Sequence, residues 1–264
     1  MSYDLESRRH TAERIAREAG KIALQHFKSL DQLEVEVKGR QDYVSQADRE
    51  VEAAIRALLE EEFPGEGFLG EETGGEIAEP MWVVDPIDGT TNFLRGIPLW
   101  GISIAWVAGG KTQVGVIHEP ALDAMTSATA DGAATLNGRP LELRPCNGMS
   151  EAIVAVGYSE RSGTEPFIRR FPKLLRAHAE FRRLGAATVG LLAVAKGQTD
   201  AFHQAHLSPW DVLAGLLIAE RAGAVVKDFL AEDGLKKGNV CFAAHPSIAS
   251  ELAEMFEVPM PPSP

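Results

Sequence analysis

In the stretch WVVDPIDGTTNF, residues 82 to 93, an apolar run leads straight into two aspartates, Asp85 and Asp88. Pro86 fixes φ and Gly89 permits a tight turn, so the two carboxylates can converge on one side of the chain. Converging carboxylates repel each other unless a cation lies between them, and hard oxygen ligands suit Mg²⁺ or Mn²⁺. A divalent-metal site is one reading of the stretch, and a plain turn capped by an aspartate is the other. An EF-hand loop is excluded, because the twelfth position counted from Asp85 is Gly96 rather than glutamate.

Other acids bear on the choice. Glu71 and Glu72 follow Gly70 in a glycine-rich loop, and Asp48 lies near the start of a helix. Asp211 sits in SPWDVLAG, with Ser208 as N-cap and Pro209 at the first helical position. At the third position Asp211 either completes a capping box beside the helix dipole or joins the other acids around a metal.

These residues need elements to position them. Leu5, Ala12, Ile15, Ala16, Ala19, Ile22, Ala23 and Phe27 recur at helical spacing, which predicts an amphipathic helix over 4–28. After a polar stretch, Ser45 with Asp48 resembles a capping box for a second helix through Val51, Ile55, Leu58, Leu59 and Phe63, ended by Pro64 and Gly65. An apolar strand, 82–84, then places Asp85 and Asp88 just beyond its end. From Gly101 to Leu143, short β-prone runs separated by GG, DG and NG pairs predict an antiparallel meander. Beyond Ser150, strands at 152–156, 199–203 and 224–226 alternate with helices over 164–178, 187–197, 209–223 and after Pro246. The expected division is an N-terminal half, 1–150, with a helix pair, an antiparallel sheet and most of the acids. A C-terminal α/β half, 151–264, carries Asp211. The proline-rich end, VPMPPSP, is expected to be disordered.

Composition excludes several classes. With 264 residues, 45% of them hydrophobic, the chain can bury a full core. A formal charge of −12 argues against binding a nucleic-acid backbone. The two cysteines, Cys146 and Cys241, form neither a disulfide framework nor a zinc knuckle. The charged N-terminus and the lack of a membrane-length apolar run predict a cytoplasmic, non-membrane protein.

Taken jointly, 70–72 (GEE), 42–48 (DYVSQAD), 82–93 and 210–215 resemble the inositol monophosphatase family, the lithium-sensitive Mg²⁺-dependent phosphatases, over nearly the whole chain. The resemblance implies an α/β (α+β) fold, a layered α/β/α/β/α sandwich of the inositol monophosphatase and fructose bisphosphatase type, usually a homodimer. It implies that Glu71, Asp85 and the carbonyl of Ile87 hold one Mg²⁺, that Asp85, Asp88 and Asp211 hold a second, and that Glu71 and water hold a weaker third. Mn²⁺ is a possible substitute. Asp48 and Thr90 would help activate the attacking water, and the amides of Gly89 and Thr90 would meet the phosphate. Gly185, Ala186, Ala187 and Gln204 would face the substrate, together with Asp88 and Asp211, and Lys38 matches a lysine near the metal loop. Two departures stand out: Gln204 replaces the glutamate of members that prefer inositol phosphate, and Ala186 replaces a common hydroxyl residue. Arg183 reads as structural, and Ser159 either approaches substrate or lies on a surface loop.

Three motifs are declined. AGGKT at 108–112 echoes a P-loop, but Ala105 stands where its first glycine belongs, and the flanks predict a hairpin. His203 and His206 have zinc-like spacing without further ligands. Trp100 and Trp106 read as core or interface anchors. The functional readings are a phosphatase of inositol 1-phosphate or a related small polyol or sugar phosphate, and the same chemistry on histidinol phosphate, fructose 1,6-bisphosphate or a 3′-phosphonucleotide. A third is a partner-binding role with the transcription machinery.

Overall fold

The computed structural model describes residues 3–33, 35–39, 42–158 and 163–260. The side chain of Lys38, all of Ser159 and the last four residues of the proline-rich end lie outside the described residues.

The N-terminal elements are α1 (Leu5–Phe27), the β1–β2 hairpin (Val35–Gly39, Asp42–Ser45), α2 (Gln46–Glu62), β3 (Gly67–Gly70), β4 (Met81–Asp88) and α3 (Thr90–Leu94). The meander follows as β5 (Gly101–Ala108), β6 (Lys111–Glu119), β7 (Ala124–Thr129), β8 (Thr135–Leu136) and β9 (Arg139–Pro140). The remainder comprises β10 (Ile153–Val156), α4 (Glu165–Arg176), β11 (Glu180–Arg182), α5 (Ala187–Ala195), β12 (Ala201–Leu207) and α6 (Pro209–Arg221). It ends with β13 (Val225–Val226), α7 (Gly234–Lys237), β14 (Asn239–Ala244) and α8 (Pro246–Phe256).

Five layers result. A seven-stranded sheet runs in the order β3-β4-β5-β6-β7-β8-β9, and a five-stranded sheet in the order β11-β10-β12-β14-β13. Helices α1 and α2 cover the outer face of the first sheet, α5 and α6 fill the space between the sheets, and α4 and α8 cover the second. The sequence explains the assignments. Helix α1 buries a stripe of small and β-branched residues, Ala12, Ile15, Ala16, Ala19 and Ala23, and the side chain of Asp4 caps Ser7 at 3.0 Å. Helix α5 is buried along its whole length, as its uniformly apolar sequence requires for a helix between two sheets. Trp82, Trp100 and Trp106 are core residues. Trp82 and Trp106 donate to one oxygen of Glu66 at 2.9 and 2.8 Å, and Arg8 clamps that carboxylate from α1.

Gly109 and Gly110 form the β5–β6 turn, both with positive φ (62° and 69°), so AGGKT is a hairpin. The sequence reading passed over the hairpin strands β1 and β2, taken only as a polar stretch, and also β3, which pairs parallel to β4, the edge strand β11, and β14. Among the described residues no helix is long and apolar enough to cross a membrane.

Candidate metal centre

Asp85 and Asp88 do not lie beyond the strand as expected: β4 continues through both. In a regular strand, residues three apart face opposite sides. Here Asp85 pairs with Ser103 and Asp88 with Gly101, so β4 holds one residue more than β5 between these rungs. This bulge turns both carboxylates to one side. The turn reading holds as well, since Asp85 Oδ1 accepts the amide of Ile87 at 3.0 Å.

Asp211 arrives from the other half of the chain at the start of α6. It completes the capping box with Ser208, whose amide donates to Asp211 Oδ2 at 2.7 Å. Capping and clustering coexist, because one oxygen of each of Asp85, Asp88 and Asp211 lies within 4.8 Å of the others. Glu71 falls outside this three-way set but shares a hydrogen bond with Asp85. Asp48 caps α2 through Ser45 (amide 2.8 Å, hydroxyl 2.6 Å) and accepts from Thr90 Oγ1 at 3.4 Å, while Thr90 Oγ1 also donates to the Ile87 carbonyl at 3.2 Å.

Electrostatics follow from this crowding. Burial, then the neighbouring Asp211 and Glu72, holds the Glu71 carboxyl well above its ordinary range. Burial, then Glu71 and Asp88, does the same for Asp85. Asp88 is pushed up to about 6 by burial, against the lowering effect of hydrogen bonds from the Thr188 hydroxyl and the amides of Thr188, Ala187 and Gly89. Among the described residues no lysine, arginine or histidine forms an ion pair with Glu71, Asp85 or Asp88. An all-oxygen, anionic donor set fits a hard divalent ion.

The sign of the pH dependence in metal-free protein follows. A carboxyl whose value is raised by folding stabilises the fold fully below its unfolded value, and that stability is lost as pH rises through the folded value. For Asp88 the window runs from about 6 down to the ordinary carboxylate range. Chelator-treated protein is therefore expected to melt a few degrees higher at pH 5.5 than at pH 7.5, and Mg²⁺ to raise the melting temperature at pH 7.5. A fall on acidification with no response to Mg²⁺ would contradict the buried cluster.

Beside the acids lies a cleft of about 130 Å³ whose lining includes Asp88, Asp211, Gln204, Tyr158, Arg183 and Gly185–Ala187. Gly89 has φ 94°, and a Cβ there would stand 2.9 Å from Ala186 Cβ, so glycine lets the two halves close on each other. The cleft thus joins the substrate-facing residues expected from the sequence to Asp88 and Asp211. His203 and His206 are structural. The buried His203 is bonded to the Cys241 carbonyl at 3.1 Å and lowered to about 3, chiefly by burial, and His206 meets the Lys237 carbonyl at 2.9 Å.

The sequence reading missed several residues around this centre. Thr188 fastens Asp88 through its amide at 2.6 Å and through its hydroxyl, from 100 positions away. Asn92 donates to the carbonyls of Leu99 and Leu184 at 2.7 and 2.8 Å, tying the end of the 82–93 stretch to the cleft edge. Glu52, an acid at helical spacing between Asp48 and Ile55, was a visible signal, since it interrupts an apolar stripe.

Known proteins resemble this chain in sequence and fold. The model of the inositol monophosphatase family matches residues 4–258. The inositol-1-monophosphatase of Rhizobium meliloti is 39% identical over 253 residues, covering 92% of this chain and 93% of its own. Nus factor SuhB of Pseudomonas aeruginosa is 34% identical over 262 residues, with 96% of each chain covered. The structure of the Thermotoga maritima IMPase superposes with a TM-score of 0.83 at 31% identity, covering 95% of this chain and 97% of that one. With fold and sequence in agreement over almost its full length, the chain belongs to the inositol monophosphatase family.

Proposed function

We propose that the protein is a Mg²⁺-dependent phosphomonoesterase acting on inositol 1-phosphate or a related small polyol or sugar phosphate. The observation that carries this reading is the convergence of Asp85, Asp88 and Asp211 beside a cleft that also presents Gln204. Glu71, Asp85, the Ile87 carbonyl, Asp88 and Asp211 would hold two Mg²⁺ ions, with a third, weaker ion at Glu71. Mg²⁺ bound there supplies Lewis-acid charge that polarises a phosphoryl group, promotes loss of a proton from water and offsets charge on the departing alkoxide.

The chain's own groups supply the rest. Thr90 donates its hydroxyl proton toward Asp48, which leaves the Thr90 oxygen to accept a proton from an attacking water while its own passes to the carboxylate. The amides of Gly89 and Thr90 would orient the phosphate, and Gln204 with Gly185–Ala187, which line the cleft, would receive the leaving alcohol. No covalent phosphoenzyme is required. A homodimer and inhibition by lithium belong to the same reading.

Turnover of a panel of small phosphomonoesters, with Mg²⁺ and with chelator, tests the proposal. Mg²⁺-dependent release of phosphate, abolished by chelation and weakened by LiCl relative to KCl at equal ionic strength, is expected. No turnover of any polyol or sugar phosphate, beside good turnover of histidinol phosphate, fructose 1,6-bisphosphate or a 3′-phosphonucleotide, would keep the chemistry and replace the substrate. A second reading, a partner-binding role in transcription, is favoured by the relative named Nus factor SuhB. Binding to purified transcription components by an Asp88→Asn protein that has lost turnover would establish it as a separate activity.

A further inference from the structure

The loop that carries Glu71 is held from below by an acid outside the expected ligand set. Glu52 is fully buried on α2, one turn beyond Asp48. Its two oxygens accept separate backbone amides of the loop, Glu72 N–H at 2.9 Å and Thr73 N–H at 2.8 Å. Its carboxylate lies flat against the backbone of Gly70, where a Cβ would stand 2.5 Å from Glu52 Cδ. The loop closes on itself above this support, the amide of Gly70 bonding the Gly74 carbonyl and the reverse, both at 3.0 Å. Glu71 N–H reaches the Val84 carbonyl at 3.2 Å, one residue before Asp85.

Among the described residues no lysine, arginine or histidine forms an ion pair with Glu52. A buried carboxylate with no ion-pair partner among the described residues, bonded to the two amides that follow Glu71, is a costly way to fasten a loop, and stability alone does not account for it. Its cost is offset where a fixed loop geometry, and further negative charge, favour a cation among the neighbouring acids. Resting on the metal reading above, we propose that Glu52 is a positioning residue for the metal centre: by clamping residues 70–73 it sets the Glu71 carboxylate beside Asp85.

Calorimetric titration of Mg²⁺ into metal-free protein tests this without turnover, using two variants. Glu52→Gln keeps the shape but turns an NH₂ toward one of the two amides and removes the charge. Gly70→Ala keeps the charge but forces the carboxylate away. Both are expected to raise the Kd for Mg²⁺ about 10- to 100-fold, as loss of groups that orient metal ligands does. The melting temperature of each metal-free variant should stay close to that of wild type. An unchanged Kd in both variants, with lower melting temperatures, would reduce Glu52 to a structural clamp. A higher Kd in Glu52→Gln alone would make its effect one of charge and overturn positioning. A wild-type protein that binds no Mg²⁺ would instead remove the metal reading itself.

Discussion

Replacing Asp88 with asparagine is expected to lower kcat/KM for a small phosphomonoester by at least about 100-fold, while leaving the protein folded. The two effects have one cause. Asparagine has the shape of aspartate, and its carbonyl oxygen can still accept from Thr188, so that part of the fastening between α5 and β4 survives although the NH₂ replaces one acceptor oxygen. What disappears is one of three clustered negative charges, and with it part of the attraction for a divalent ion. In the metal-free protein that charge is already uncomfortable, because burial raises Asp88 to about 6. The chelator-treated variant should therefore melt at or above the wild-type temperature at pH 7.5, and should gain less on addition of Mg²⁺. Steady-state kinetics and thermal melts with and without metal check both halves. Unchanged turnover in a folded variant would sink the assignment of Asp88 to the metal.

Gln204→Glu is expected to raise kcat/KM for inositol 1-phosphate about tenfold relative to glycerol 2-phosphate. Gln204 stands on β12 in the wall of the same cleft as Asp88 and Asp211, where the proposed reading puts the leaving alcohol. Among the described residues its Nε2 makes a long contact, 3.4 Å to the His206 carbonyl, and its Oε1 packs over Gly157, where a Cβ would stand 1.8 Å away. A glutamate there accepts hydroxyl protons with full charge, each such bond being worth about 1.5–3 kcal/mol when well buried, whereas the amide offers one acceptor and two donors. A polyol presents several hydroxyls to that position and glycerol 2-phosphate fewer, hence a change in the ratio and not only in the rate. Wild-type protein should accept inositol 1-phosphate without strong preference. Marked selectivity in the wild type, with no gain in the glutamate variant, would restore a plain preference for inositol 1-phosphate.

How much of this was legible in advance depended on the range of the interactions involved. The caps at Ser45 and Ser208, the GG turn, the apolar stripe of α1 and the uniformly buried α5 rest on contacts within one or two turns, and their residue types and spacing stand in the sequence. The motifs DPIDG and SPWD likewise named the three acids that meet, Asp85, Asp88 and Asp211, although each motif alone was compatible with an ordinary turn or cap. Tertiary structure decided the rest. Whether Asp85 and Asp88 face one side depends on the rungs β4 makes with β5, and the bulge between them is a property of the pair of strands. Thr188 holds Asp88 across 100 positions, and Glu52 supports the Glu71 loop across about 20, so neither partner is marked by its neighbours in sequence. The short strands β3 and β11 escaped because four and three residues carry too little periodicity, while β14 is recognisable as a sheet member only from its pairing with β12 and β13. Local sequence determines which elements form and which residues are chemically able to act. Burial and the register between distant strands decide which carboxylates lose their water together, and that shared loss makes a cation at this centre favourable.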